Sequence, residues 1–322
     1  MKSGTSVQAG LRQARYPSLW KRLLSQWEYQ VMVLPAILFI VVFSYIPMWG
    51  VLMAFQDYDM FKGFWASEWV GLKHFRMFFS APEFWQIIRN TIMISMGKLV
   101  IGFPAPIILA LMLNEVRSMV YKRVIQTISY LPHFISWVIM SGILFSLLSV
   151  DTGSINLLLQ KIGLIDEPIN WLSNSHYFWG LLITANVWKE VGFGAIVYLA
   201  AIAGVDPHLY EAASIDGANR FKQIFLITLP SITPVILIFL ILQISNILNA
   251  GFEDILLLTN NGNNAIIRNV SEVIDTYVYR TGILNQRYSY AIAAGLFKSL
   301  VNILMLILAN GLSRRFGKSS LW

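Results

Sequence analysis

Residues 206–234 read DPHLYEAASIDGANRFKQIFLITLPSITP, a polar stretch held between two apolar runs that are each long enough to cross a bilayer. Asp206 is a good helix N-cap and Pro207 suits the first helical position, so the sequence predicts a short helix to about Ile215. Gly217 then allows a turn, and a second short helix is expected over Asn219–Thr228. On it Phe221, Ile224 and Phe225 fall at i, i+3 and i+4, making one apolar stripe, while Arg220, Lys222 and Gln223 point elsewhere. A helix-turn-helix knob with such a stripe calls for a groove to receive it.

Working outward, 56% of the 322 residues are hydrophobic and only 13% are charged, against about 25% charge in soluble domains. The fold class is therefore an all-α membrane protein, and apolar runs set its organisation. Six transmembrane helices are expected: Val31–Phe55, Asn90–Leu113, Val124–Val150, Tyr177–Val205, Ser231–Gly251 and Tyr290–Leu312. Pro132 should divide a lead-in helix from the third crossing. The organisation reads as an N-terminal segment 1–30, a six-span domain 31–312 containing the knob at 206–230, and a basic tail 313–322. Residues 11–30 suit an interfacial amphipathic helix and a solvated basic tail equally. Segments 56–89, 151–175 and 252–287 read as loops on the side opposite the termini, the last because of its Asn-rich TNNGNN at 259–264, although its second part, VSEVIDTYVYRTG at 270–282, suits a short helix packed against the mouth of a pathway.

Charge sets the expected sidedness. Thirteen Lys and Arg lie on the side of the termini and knob and eight on the other, which makes the first side cytoplasmic. The net charge of +7 then needs no nucleic acid to explain it. The chain has no cysteine, which excludes disulfides, thiolate catalysis and Cys-based metal sites. His74, His133, His176 and His208 are scattered without metal-ligand spacing, so neither a metal site nor catalytic residues are expected. The RFGKSS run at 315–320 lacks the glycine spacing of a phosphate-binding loop, and no internal repeat points to an inverted-repeat transporter.

The residues of the knob carry a family resemblance. Glu211-Ala212-Ala213, Asp216-Gly217-Ala218 and Ile227-x-Leu229-Pro230 are similar to the EAA loop of permease subunits of binding-protein-dependent ABC importers. GFPAPIILALMLNEV at 102–116, TISYLPHFISWVI at 127–139, WKEVGFGAIVYLAAIAGVDP at 188–207 and NAGFEDILLL at 249–258 resemble the carbohydrate-uptake branch and its polysaccharide-type, alginate-importing members. The resemblance implies a type I importer permease fold in a bacterial inner membrane with both termini cytoplasmic. It implies coupling helices that dock on a cytoplasmic ABC ATPase dimer, with Glu211 in contact, Ala212 and Ala213 allowing close approach and Gly217 giving the turn. It further implies a second permease subunit, a periplasmic solute-binding protein, and ATP and magnesium used by the ATPase, with no cofactor on this chain. A secondary transporter or channel for a small solute is the other class open, with Glu190 as its one coupling carboxylate.

Lys98, Lys189, Glu190 and Lys298 fall inside the expected spans, where a lysine costs about 2.5–3.5 kcal/mol unless it faces protein or water. Two readings follow. Glu190 pairs with Lys98 or Lys298 and locks the bundle, or the two surplus positive charges line a path for an anionic, alginate-like saccharide. Trp137, Trp188 and Tyr198 suit stacking on sugar rings and equally suit packing.

Overall fold

The computed structural model describes residues 25–315, so the expected interfacial helix at 11–30 falls largely, and the tail at 313–322 mostly, outside the described residues. Among the described residues, regular structure is helical apart from a two-residue ladder pairing Gln56 with Trp69 and Asp57 with Glu68, antiparallel. It divides into one unit up to Leu52 and a second from Met53 onward.

The first unit is formed by the apolar helix Trp27–Phe55, whose last three residues belong to the second. It passes from α-helix (Trp27–Ile40) through a π turn (Val41–Tyr45) to a 3-10 segment (Ile46–Phe55). Pro47 supplies no N–H to the ladder, which accounts for a change of winding there. Apolar side chains lie exposed all round the helix, as suits a lipid-facing span.

In the second unit, four further helices are long and apolar enough to cross a membrane: Phe84–Glu115, Phe178–Ala203, Arg220–Ser245 and Tyr288–Arg315. The third expected crossing is a broken pair, Met119–Phe134 and Trp137–Leu147, bent by 104°. The break comes at Ile135–Ser136, three residues past Pro132, because Ser136 restarts the helix by accepting a hydrogen bond from the Ile139 N–H at 3.3 Å. Counting that pair as one span gives the expected six. Span two carries a π turn at Lys98–Gly102 immediately before the prolines of Phe-Pro-Ala-Pro. Span four (Phe178–Ala203) packs along span two and the helix Met119–Phe134, while span five (Arg220–Ser245) packs along span six (Tyr288–Arg315).

Two expectations are corrected. The second knob helix is the leading end of span five: the chain runs without a break from Arg220–Gln223 through a π turn at Ile224–Thr228 into Leu229–Ser245. In the segment 252–287, the short helix expected within 270–282 is present as Ile274–Tyr279, whereas the part expected as an outer loop is built into the core. The helices Glu253–Leu258, Arg268–Ser271 and Ile274–Tyr279 place Ile255, Leu258, Ile267, Ile274 and Tyr277 in the two clusters that join the segment to spans two, four and six. The Asn run is confined to one turn, where Asn260 and Asn261 take φ of 53° and 56°, a conformation Asn tolerates.

Candidate functional site

The knob is built from its caps. Asp206 Oδ1 accepts from the His208 N–H at 3.0 Å and starts the helix Pro207–Ile215. The helix ends with Ala218 N–H donating to the Ala213 carbonyl at 2.8 Å and Gly217 N–H to the Ser214 carbonyl at 3.2 Å, the paired closure that needs a left-handed residue. Gly217 supplies it, with φ of 76°. Asn219 then caps span five by accepting from the Lys222 N–H at 2.9 Å. Gln223 is buried beneath the turn and donates to Ser214 Oγ and the Ala218 carbonyl, while Tyr210 and Thr228 join their hydroxyls at 2.9 Å.

These contacts leave the outer face of the knob open. Glu211 is exposed with His208 Nδ1 3.3 Å away, and Ala212 and Asp216 are exposed beside it. Phe221 and Phe225 are 73% and 61% exposed, whereas Ile224 is half-buried, so the expected stripe of three is split. Leu226 and Ile215, which periodicity missed, are exposed with them at 71% and 87%. The π turn explains the difference, since residues five apart share a face there and Leu226 takes the place meant for Ile224. Leu229 packs into the cluster around Tyr198 and Ile232, and Pro230 sits at the start of the α-helical part of span five. Arg220 reaches Glu115, 3.6 Å away at the end of span two.

A second site is a cavity of about 700 Å³ bounded by spans two, four and five, by Trp137 of the broken third pair and by the segment 246–254. Of the seven pathway candidates, the cavity wall takes in Lys98, Glu190 and Trp137 but not Lys189, Lys298, Trp188 or Tyr198. Its remaining polar surface is largely amide, from Asn186, Gln243, Asn246 and Asn249, with Glu253 and Asp254 as further acids.

Every charge expected inside the spans has a partner, and none is the expected one. Lys98 Nζ donates to Asp254 Oδ2 at 2.5 Å and to the Ala250 carbonyl at 2.6 Å. Lys298 pairs with Asp275. Glu190 binds His133 at 2.8 Å rather than a lysine, and His133 stacks on Phe193 with ring centres 3.9 Å apart. Lys189 is buried and donates to the carbonyls of Pro132, His133 and Ile135 at 3.3, 2.7 and 2.6 Å, at the end of the helix that breaks there, where the Pro132 carbonyl also accepts from the Ile135 N–H at 3.2 Å. Beside it, a Cβ on Gly192 would lie 1.9 Å from the Ser129 carbonyl oxygen, so span four and this helix touch backbone to backbone. Trp188 lines a separate apolar hollow with Trp171 and Tyr177, and Tyr198 is buried against Phe239.

Asp254, Asp275 and Gly251 were the residues that sequence reasoning passed over. The acids lie in short helices of a segment whose average composition is loop-like. Gly251, with φ of 111°, admits the Lys98–Asp254 pair, since a Cβ there would stand 2.2 Å from Asp254 Oδ1 and 2.8 Å from Lys98 Nζ.

The sequence has close counterparts. Residues 102–318 match the family model described as binding-protein-dependent transport system inner membrane component. Protein LplB of Bacillus subtilis is 47% identical over 297 residues, covering 92% of this chain and 91% of that protein. The polygalacturonan/rhamnogalacturonan transport system permease protein YteP of the same organism is 46% identical over 301 residues, covering 94% and 92%. Among solved structures, a chain of a bacterial alginate ABC transporter, crystallised in complex with its alginate pentasaccharide-bound periplasmic protein, superimposes with a TM-score of 0.85 at 42% identity, covering 94% of this chain and 99% of that one.

Proposed function

The chain belongs to the family of binding-protein-dependent transport system inner membrane components, and from that membership we propose that it forms one half of the pathway of an ATP-driven importer of oligo- or polysaccharide. A secondary transporter or channel, the other class open from the sequence, is displaced by the family. The saccharide class draws support from YteP and from the alginate transporter, both of which share over 40% of their residues with this chain across more than nine-tenths of its length.

The observation that carries the mechanism is the open face of the knob. Glu211 and the apolar Ile215, Phe221, Phe225 and Leu226 project beside a turn that Gly217 fixes, and a patch of this kind on an otherwise capped and internally bonded element calls for a partner. In this reading the knob docks on one subunit of a cytoplasmic ABC ATPase dimer, which binds ATP and magnesium and carries out the hydrolysis. Span four enters the knob directly and span five leaves it, so movement of the knob reaches both the cavity wall and the helix clamped by Lys189. A second permease completes the pathway, and a periplasmic solute-binding protein delivers cargo on the opposite face. Both termini and the knob are cytoplasmic, in keeping with the basic-residue count. In this reading the chemistry and its ATP and magnesium belong to the ATPase, and this chain contributes the pathway and the docking face.

Co-purification of the importer with its ATPase tests the docking face. Glu211→Lys and Gly217→Pro should each weaken it and uncouple hydrolysis from uptake; normal association together with normal ATP-driven uptake in both variants would refute the assignment.

A further inference from the structure

The cavity contains hydrogen-bonding capacity that the protein leaves unused. Asp254 and Ser95 border it at 2% and 6% exposure, yet Asp254 Oδ1 and Ser95 Oγ have no hydrogen-bond partner among the described residues. Lys98 spends two of its three N–H groups, on Asp254 Oδ2 and the Ala250 carbonyl, and a third remains. Buried polar atoms without partners are rare in native proteins, and two on the wall of one cavity call for an occupant. Gly251 holds the arrangement open, because any side chain there would strike both members of the ion pair.

We infer that Ser95, Lys98 and Asp254 form a charge-balanced subsite that takes neutral hydroxyl groups of the cargo and turns away carboxylates. The inference rests on the saccharide reading above and narrows it. A sugar hydroxyl both donates and accepts, so it can satisfy Asp254 Oδ1 while receiving the spare N–H of Lys98 or the Ser95 hydroxyl. A carboxylate can only accept. To reach Lys98 it must stand beside Asp254, whose charge that ammonium already balances, and like charges placed together are costly. The rest of the wall adds to the effect: Glu190 and Glu253 are its other ionisable groups among the described residues, so carboxylates outnumber ammonium groups there by two. The three lysines that suggested an anion path therefore act otherwise, since Lys98 is matched by Asp254, Lys189 is spent on backbone carbonyls and Lys298 on Asp275, and neither of the last two lines the cavity.

The test uses the complete importer in proteoliposomes, with its partner permease, ATPase and binding protein, and two probes of equal length: a galacturonate oligosaccharide and its fully methyl-esterified form. The binding protein is the same throughout, so a change in the uptake ratio on altering this chain reports the cavity. Asp254→Asn leaves Lys98 unbalanced and should move the ratio toward the free acid by about tenfold. Ser95→Ala should lower uptake of the ester roughly threefold. An unchanged ratio in an active Asp254→Asn transporter would overturn the inference. Should that variant not assemble, Asn249→Cys decides, because Asn249 is exposed on the cavity wall and the chain is otherwise free of cysteine. The ester should then slow alkylation of the introduced thiol more than the acid does, and equal or better protection by the acid overturns the subsite. Uptake and protection by neither probe, in a transporter that still drives another class of solute, would overturn the saccharide reading itself.

Discussion

The ammonium of Lys189 closes the end of the helix Met119–Phe134, standing 2.7 Å from the His133 carbonyl oxygen and 2.6 Å from that of Ile135. A helix end leaves four carbonyls without intrahelical partners, and here one buried side chain from span four answers for three of the carbonyls at the break. The charge that looked like a contact for cargo is spent on backbone.

Lys189→Met is accordingly expected to lower stability by about 1–3 kcal/mol, the cost of leaving buried acceptors unmet. Thermal inactivation of the purified importer should shift down, while the apparent affinity for cargo in the surviving population stays unchanged.

Gly192→Ala should be among the most damaging small substitutions in the chain. The added methyl carbon would stand 1.9 Å from the Ser129 carbonyl oxygen, and a backbone atom cannot swing aside as a side chain can. Overpacking costs typically about 1–3 kcal/mol. Gly180→Ala, in the same span with nothing within 4 Å of the new carbon, is the control and should be neutral in the same thermal assay.

The pair Lys298–Asp275, with side chains 16% and 24% exposed, should show strong coupling in a double-mutant cycle. Lys298→Ala alone leaves a carboxylate stranded and should cost about 3–5 kcal/mol. Lys298→Met with Asp275→Leu should recover most of it, which denaturation of each variant in detergent would measure.

Phe221→Asp and Phe225→Asp alter side chains that the protein itself does not cover, so melting should move by no more than about 0.5 kcal/mol. Association with the ATPase should fall in both. Loss of folding rather than association would show that the face packs against this chain.

Acid should loosen the segment 56–79. His74 is buried and its Nε2 meets the Gln56 carbonyl oxygen at 3.0 Å. Burial holds the imidazole below its ordinary range, more strongly than that hydrogen bond and the nearby Asp57 carboxylate raise it. A depressed value means that the folded state favours neutral imidazole, so the contribution is complete above about pH 6.5 and is lost as pH falls through the depressed value. Faster amide exchange over 56–79 at pH 5.5 than at pH 7.5, after correction for the intrinsic rate and abolished by His74→Gln, is the expected result.

How far the fold could be read in advance divides by the length scale of the signal. Spans of more than 20 residues and the capped, glycine-turned knob carry their pattern locally, and Asp206, Gly217 and Asn219 do in the structure what their chemistry predicts. The segment 252–287 does so only in part: the helix Ile274–Tyr279 lies where one is expected, but Glu253–Leu258 and Arg268–Ser271, of six and four residues, are too short for a period to emerge, and one Asn-rich turn dominates their average. The partner of Lys98 was hidden for that reason, while Asp275, within the expected helix, meets Lys298 through a tertiary contact that no local pattern reports. The split stripe on the knob has another cause, because an α-helical period cannot foresee a π turn.

The bond between Lys98 and Asp254 also imposes an order in time. The two residues are 156 positions apart, and the lysine is made first. At about 5–20 residues per second of synthesis, span two exists for roughly 8–30 s before its counter-charge leaves the ribosome. During that interval a lysine at the middle of the span carries an insertion penalty of about 2.5–3.5 kcal/mol with nothing to offset it. Lys298 never waits, since Asp275 precedes it by 23 residues. A chain halted before Asp254 would thus hold span two without the counter-charge that the finished fold gives Lys98.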